Sequence, residues 1–441
     1  MEEMMKTGKM MGEFAKYTSM SVLGMAAISC YILADTFFVS KSLGTNGLAA
    51  LNLAIPIYNF IHGTGLMLGM GGATRFTISK SCGDRKGADE MFTHTVWMGV
   101  LFSLLFAAVG IFASEPITAL LGADRDIFEM SNIYLKVLLL FAPAFVFNDI
   151  LLCFVRNDGN PQLAMAATVC GSFSNIVLDY VFMFPLGMGI FGAVLATGMA
   201  PAIGIAVMAP HWLRKEKGFH AVRTSLQGEL VKVNLSLGFP SLLAQLSSGV
   251  VMIVFNAIIL RIAGNTGVAA YGVIANIALV VVSIHTGIAQ GIQPLVSREY
   301  GKNDGQAARR FLRYAMLSML ALSAAIYLGI FCFADPIARI FNSEGNEELQ
   351  RIAVTGLKLY FTSVAFVGYN LILSTYFTSV ERALPAHLTS LLRGLLLIVP
   401  LAFLMSAAWG MTGVWLTFPV TELLTAVLGA WLDRKGEGKR P

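Results

Sequence analysis

Four carboxylates stand in stretches that otherwise hold almost nothing but apolar side chains: Asp35, Asp149, Asp179 and Glu422. Asp35 lies in "LADTFFVSKSLG", and no charge separates it from Lys16. A charge at the centre of a membrane-spanning helix costs about 2.5–3.5 kcal/mol on insertion scales, so each of these acids needs a reason to be there. Asp35 is about six residues, or ~9 Å, from the outer end of its segment. Asp179, in "SNIVLDYVFMFP", stands equally far from Pro185, so the two acids occupy the same depth. Asn175 precedes Asp179 by one helical turn and shares its face. Thr197, in "LATGMA" on the next segment, can add a hydroxyl. Two carboxylates brought together in a low dielectric cannot both stay charged cheaply, and they call for a proton or a small cation between them. Such a group binds an ion and releases it when the local structure changes, which is coupling chemistry. Asp149, seven residues before Arg156, reads as a structural residue near the inner headgroups.

Other polar residues in apolar surroundings are candidates for lining a substrate cavity or for gating. Glu422 and Arg393 fall at depths of ~16 and ~14 Å from the inner ends of the last two segments, and their simplest relation is a salt bridge. His62 and His285 occur in the related contexts "IHGTG" and "IHTG". A mid-membrane histidine can relay protons, although a hydrogen-bonded core histidine is the plainer reading. The five cysteines are scattered, and no His/Cys/Asp/Glu group has metal-ligand spacing. Neither a phosphate-binding loop nor a nucleophile–base pair is recognisable.

The elements that must hold these residues are membrane helices. Of the 441 residues 56% are hydrophobic and 13% charged, against about 25% charged in an average soluble domain. The mean hydropathy is +0.70. The net charge of +5 does not point to nucleic acid, because the basic residues sit in short loops between apolar runs. Twelve runs are long enough to span a bilayer, each at least the roughly 20 residues required. They lie at 14–40, 47–79, 92–113, 131–155, 162–184, 188–212, 234–260, 267–297, 311–333, 352–380, 384–407 and 411–432. With the N-terminus inside and the loops alternating, 22 Lys and Arg fall on the inner side and 7 on the outer. That bias follows the positive-inside rule with both termini cytoplasmic. The start of the chain lacks the features of a cleaved signal peptide.

The chain also resembles itself. "LGTNGLAALNLAIP" at 43–56 reads like "AGNTGVAAYGVIAN" at 263–276, and "CGDRKGA" at 82–88 echoes "YGKNDGQ" at 300–306. The expected architecture is all-α: twelve helices in two pseudo-symmetric six-helix bundles around a central cavity, related by an axis along the membrane normal. The bundles would cover 1–213 and 233–441, with 214–232 as a cytoplasmic linker that reads as a solvated loop. Such a repeat suits alternating access. The 43 glycines, crowded at Gly63, Gly65, Gly69, Gly71 and Gly72, permit close helix contact or bending. A subset of the Met and Phe residues lining a cavity would suit flat cationic substrates.

"LADTFFVSKSLGTNGLAALNLAIPI", "FVRNDGNPQLAMAAT", "SNIVLDYVFMFPLGMGIFGAVLAT" and "GIAQGIQPLVSREYGKND" resemble the MATE (multidrug and toxic compound extrusion) transporters along nearly all the chain. The likeness is greatest to the DinF-like bacterial and archaeal branch. The resemblance implies efflux of organic cations, dyes and drugs against H⁺ or Na⁺ across the cytoplasmic membrane of a bacterium or archaeon, by a monomer without a cofactor or a nucleic-acid partner. It also implies coupling roles for Asp35, Asn175, Asp179 and Thr197, where Na⁺ could bind, and a site role for Asn148. There is one departure. A second branch uses an acid in the seventh helix, and here "LGFPSLLAQLSSGVVMIVFNAIIL" offers only Gln245 and Asn256. The alternatives are a lipid-linked-sugar flippase, which would need more basic residues than Arg75 and Arg393 within its spans, and a membrane-embedded enzyme, whose catalytic constellation is not visible.

Overall fold

The computed structural model describes residues 2–214, 216–342 and 345–437. Of the basic residues assigned to the inner side, Lys215, Lys439 and Arg440 and the side chain of Lys6 lie outside this description. The described residues form helices and no strand: α1 (Glu2–Ser81), α2 (Arg85–Phe112), α3 (Ser114–Leu120), α4 (Phe128–Leu140), α5 (Ala142–Asn157), α6 (Pro161–Met183), α7 (Gly189–Trp212), α8 (Gly228–Gly301), α9 (Gly305–Phe341), α10 (Glu347–Tyr360), α11 (Val364–Ser379), α12 (Ala383–Leu391) and α13 (Ile398–Glu437). Apolar chain in lipid has no water to satisfy its backbone, and the helix satisfies it internally.

Eight of the described helical stretches are long and apolar enough to cross a membrane, or nine with the bent pair α4 and α5 taken as one. Three of them are double length. A straight helix of 80 residues would run ~120 Å, four times the ~30 Å hydrocarbon core. Each breaks at a glycine: Gly44 (φ 65°, ψ −151°) in α1, Gly264 (φ 58°, ψ −156°) in α8 and Gly410 (φ 56°, ψ −134°) in α13. Only glycine adopts this backbone without strain. The breaks turn nine stretches into twelve passes and fall in the gaps left between the twelve apolar runs. Gly44 and Gly264 also occupy matching places in the sequence repeat. The fourth pass bends by 47° between α4 and α5, where Pro143 opens α5 and removes a backbone donor.

The chain forms two compact units. The first comprises Ser19–Leu246 and Ser297–Gly305, and the second the chain up to Thr18, Ser247–Val296 and the chain from Gln306 onward. In the first unit, helix approach depends on missing side chains. A Cβ on Gly71 would stand 2.0 Å from the backbone oxygen of Asn234, and one on Gly65 would stand 2.6 Å from Asp149 Oδ2. The glycines of α1 after its break are therefore the floor on which α5 and the start of α8 rest. Gly71→Ala should lower the stability of the purified protein by about 1–3 kcal/mol, the usual cost of overpacking. Thermal unfolding in detergent measures this, and an unchanged midpoint would contradict the close contact.

The segment between α7 and α8 is not the solvated loop expected from its charge. Phe219 is fully buried and packs against Phe92 (ring centroids 4.7 Å apart), Phe154 (5.7 Å) and Phe76 (6.1 Å). Its neighbours are tied down as well. Gly218 N–H donates to Asp158 Oδ2 (2.8 Å), His220 N–H to Asp89 Oδ1 (2.8 Å) and Val222 N–H to Thr93 Oγ1 (3.0 Å). Asp158 also meets Lys80 and, at 2.9 Å, His211 Nε2. One aromatic side chain outweighs the surrounding charges because it alone enters a ready-made ring of phenylalanines. Phe219→Ala should cost about 3–5 kcal/mol of stability. Loss of less than about 1 kcal/mol on unfolding would mean the strap is loosely held.

The second unit buries a row of rings. Phe255 stacks on Tyr271 (5.6 Å), Tyr271 on Trp415 (6.2 Å), and Tyr360 lies parallel to Phe418 at 4.8 Å.

Candidate ion-coupling site

In the first unit, α1 before its break brings Asp35 to Asp179 of α6. Their carboxyls are within hydrogen-bonding contact. Asp35 is 7% exposed and Asp179 fully buried. Asn175, one turn below Asp179, satisfies both ends of its amide when its nitrogen donates to Asp179 Oδ2 (3.1 Å) and its oxygen accepts the backbone N–H of Thr197 (3.2 Å). The Thr197 hydroxyl donates to the carbonyl of Ala193 (3.0 Å) and is within reach of the Tyr134 hydroxyl. The structure thus brings Asp35, Asn175, Asp179 and Thr197 to one place. Each carboxyl keeps its Oδ1 without a hydrogen-bond partner. A buried orphan acceptor is costly and marks a place where a proton or ligand belongs.

The group extends along α1. Tyr31, one turn before Asp35, shares a 2.7 Å hydrogen bond between hydroxyls with Tyr58, which lies beyond the break. The Tyr58 ring stacks on His62 (5.9 Å) and meets Phe145 edge-on (5.6 Å). His62 Nδ1 is 2.8 Å from Asp149 Oδ2. Asp149, read from sequence as a structural residue near the headgroups, has a histidine for a partner. Asn148 turns elsewhere: its Oδ1 faces Gly204 of α7, where a Cβ would come within 2.5 Å. Gly204 is seven residues from Thr197, ~10 Å along the helix.

In the second unit Arg393 and Glu422 do meet. Nε and Nη2 of Arg393 donate to Glu422 Oε1 at 3.0 and 2.8 Å. Asn370 Nδ2 donates to Glu422 Oε2 (2.6 Å) and to its carbonyl (2.8 Å). Arg393 sits in a π-helical turn at Leu392–Leu396, a local widening frequent at functional sites. His285 is a satisfied core residue: Nδ1 contacts the Val281 carbonyl (2.8 Å) and Nε2 the Ser323 hydroxyl (2.9 Å). The two histidines of the repeat therefore differ, since only His62 faces an acid. Among the described residues no cluster of three or more His, Cys, Asp or Glu could hold a metal ion.

Tyr31, Tyr58, Tyr134 and Asn370 were not singled out from sequence. Tyr31 carried a usable signal, because it stands four residues before Asp35 and so shares its face. The other three lie on different segments from the acids they serve, and nothing local marks them.

The sequence profile of the MatE family matches residues 21–181 and 240–404. The chain belongs to the MatE family. Members of this family are transporters, not enzymes. The MatE chain is 23% identical over 410 residues to the multidrug export protein MepA of Staphylococcus saprophyticus, covering 92% of this chain and 89% of the relative. To MepA of Staphylococcus aureus it is 22% identical over 409 residues, with 92% and 89% covered. Among solved structures it resembles a MATE protein crystallised with MaL6, with a TM-score of 0.90 and 24% identity over 96% of this chain and 95% of that one. A MOP superfamily transporter from Pyrococcus furiosus superposes with a TM-score of 0.88 at 24% identity, again over 96% and 95%. At these identities the structural likeness concerns the fold. The MatE family places the chain among multi-pass membrane transporters of small molecules, within a group of multidrug exporters.

Proposed function

We propose that this MatE protein is an antiporter that exports organic cations from the cytoplasm in exchange for protons, with both termini on the cytoplasmic side. The observation that carries this reading is the contact between two buried carboxyls, Asp35 and Asp179. Two ionised carboxylates about 4 Å apart would repel by about 4 kcal/mol at an effective dielectric of about 20. A shared proton turns that repulsion into a hydrogen bond. The neighbouring groups favour H⁺ over Na⁺. Asn175 satisfies both ends of its amide when its nitrogen donates to Asp179, and the Thr197 hydroxyl is already engaged with its own helix. A sodium ion would need more oxygens than the pair alone offers. The net negative charge available when the proton leaves suits a cationic substrate, and Tyr31, Tyr58 and Phe145 supply the aromatic faces that cations prefer.

The test is efflux of a cationic dye from proteoliposomes under a pH gradient and, separately, a Na⁺ gradient. The proton reading expects the pH gradient to drive efflux and the Na⁺ gradient to leave it unchanged. The reverse pattern would transfer the same site to Na⁺, and transport driven by neither would end the antiport reading. The flippase alternative needs free basic charge for a pyrophosphate, and Arg393 is instead bound to Glu422.

A further inference from the structure

Titratable and hydroxyl groups beyond the Asp35–Asp179 pair can carry a proton onward. The first unit contains such groups in sequence along α1. We propose that His62 and Asp149 form a second proton-binding site, linked to Asp35 and Asp179 through the hydroxyls of Tyr31 and Tyr58, and that protons taken up by the acid pair leave by this route. The inference rests on the proton-coupled reading above.

Three independent features support it. The first is continuity: Tyr31 stands one turn from Asp35, its hydroxyl meets that of Tyr58 at 2.7 Å, Tyr58 stacks on His62, and His62 Nδ1 is 2.8 Å from Asp149. The step from the Tyr58 hydroxyl to the imidazole lacks a direct hydrogen bond. A water can bridge it, since the His62 side chain is 20% exposed. The second is the burial of Asp149, 4% exposed within a membrane helix, where an acid is costly to place without a task. The third is the repeat. His285, in the equivalent context, is satisfied by a carbonyl and a serine and has no acid beside it. Packing at this position therefore does not require a carboxylate, and the first unit carries one for another reason.

The charged and titratable groups around the pair are consistent with a relay. Tyr58 faces it from α1, and Cys153 and Arg156 interact with Asp149 from its own helix α5. Tyr31 and Asp35 approach Tyr58 from the other side of the α1 break, and Tyr134 of α4 faces the Asp35–Asp179 end. Asp149 is about eight residues, ~12 Å, from the inner end of α5, so the chain of groups runs inward. An imidazole that takes a proton on Nε2 can give one up from Nδ1 to the Asp149 carboxylate, and Asp149 then releases it beside Arg156. No proton is created or lost in this passage.

The test uses the full chain in proteoliposomes and compares two rates for a cationic dye such as ethidium: pH-driven efflux and gradient-free exchange of dye for dye. Exchange needs substrate binding and conformational change but no net proton passage, so the ratio of the two isolates the route. Tyr58→Phe keeps the ring stack and removes only the hydroxyl, and Asp149→Asn keeps the shape and removes the titratable group. The ratio should fall by about tenfold or more in each, the scale on which losing one proton-transfer group acts. A ratio within about twofold of the unmodified protein's in a folded Tyr58→Phe would overturn the route. Absence of any pH-driven efflux in the unmodified protein would overturn the proton-coupled reading itself, a result distinct from a selective change in the variants.

Discussion

Asp35→Asn should reduce pH-driven dye efflux by about 100-fold or more while the protein still folds and binds dye. Asparagine matches aspartate in size and can hydrogen-bond to Asp179, so the helix contact survives. What disappears is the site's ability to alternate between holding a proton and holding negative charge. In the proposed antiport, Asp35 and Asp179 share a proton while in contact, and losing that proton frees charge for a substrate cation. With one partner permanently neutral, the remaining acid no longer feels a neighbour whose charge changes, and ion and substrate cease to compete. Efflux at the unmodified rate in a folded Asp35→Asn would reduce Asp35 to a packing residue. Dye binding, followed by fluorescence polarisation, separates loss of coupling from loss of the site.

The second large effect lies in the other unit. Arg393→Met should destabilise the protein by about 3–5 kcal/mol, because Glu422 is then left as a buried charge without its partner. Glu422 is 1% exposed and accepts from Arg393 twice and from Asn370. The same reasoning makes the double variant Arg393→Met with Glu422→Gln milder than Arg393→Met alone, since a buried pair replaced as a whole costs little or nothing. Thermal unfolding of the two single variants and the double closes the cycle, and additive losses would show that the bridge does not couple the residues. Transport by the double variant decides between roles. Retained efflux makes the bridge a fastening between α11, α13 and the turn at Leu392–Leu396, whereas a folded but inactive double variant assigns it to gating.

The broad architecture was legible because it follows from simple requirements. The apolar runs had to be helices, and the breaks at Gly44, Gly264 and Gly410 lie in the short gaps between runs. The acid pair was legible because charge is rare in these helices and both residues stand at one depth. Tyr58 and Tyr134 were hidden, since a tyrosine among many aromatics in an apolar helix announces no partner. The burial of Phe219 was masked by the charge of "RKEKGFHAVRTSLQGELVK", in which one ring has little weight in any average. The π-turn at Arg393 was invisible because one extra residue in a helical turn leaves no compositional trace. The contrast between His62 and His285 could not be read from nearly identical local sequences, as it arises from which residues face them: Asp149 in one case and Ser323 in the other.

The way the chain divides between its two compact units bears on its synthesis. The first unit contains Ser19–Leu246 but also Ser297–Gly305, and it relies on the start of α8, where the Asn234 backbone lies against Gly71 and Gly238 leaves room for the Met67 backbone. Residues before Ser19, synthesised ahead of the first unit, belong to the second unit, where the backbone of Thr18 meets Gly291. A nascent chain therefore cannot complete either half in order. The first unit stays open until residues beyond 297 have been made, and the residues before Ser19 must wait for a partner encoded far downstream. Chains truncated between the two sequence repeats should be poor substitutes for the whole, and a split version of this transporter should assemble only when both pieces are present during membrane insertion.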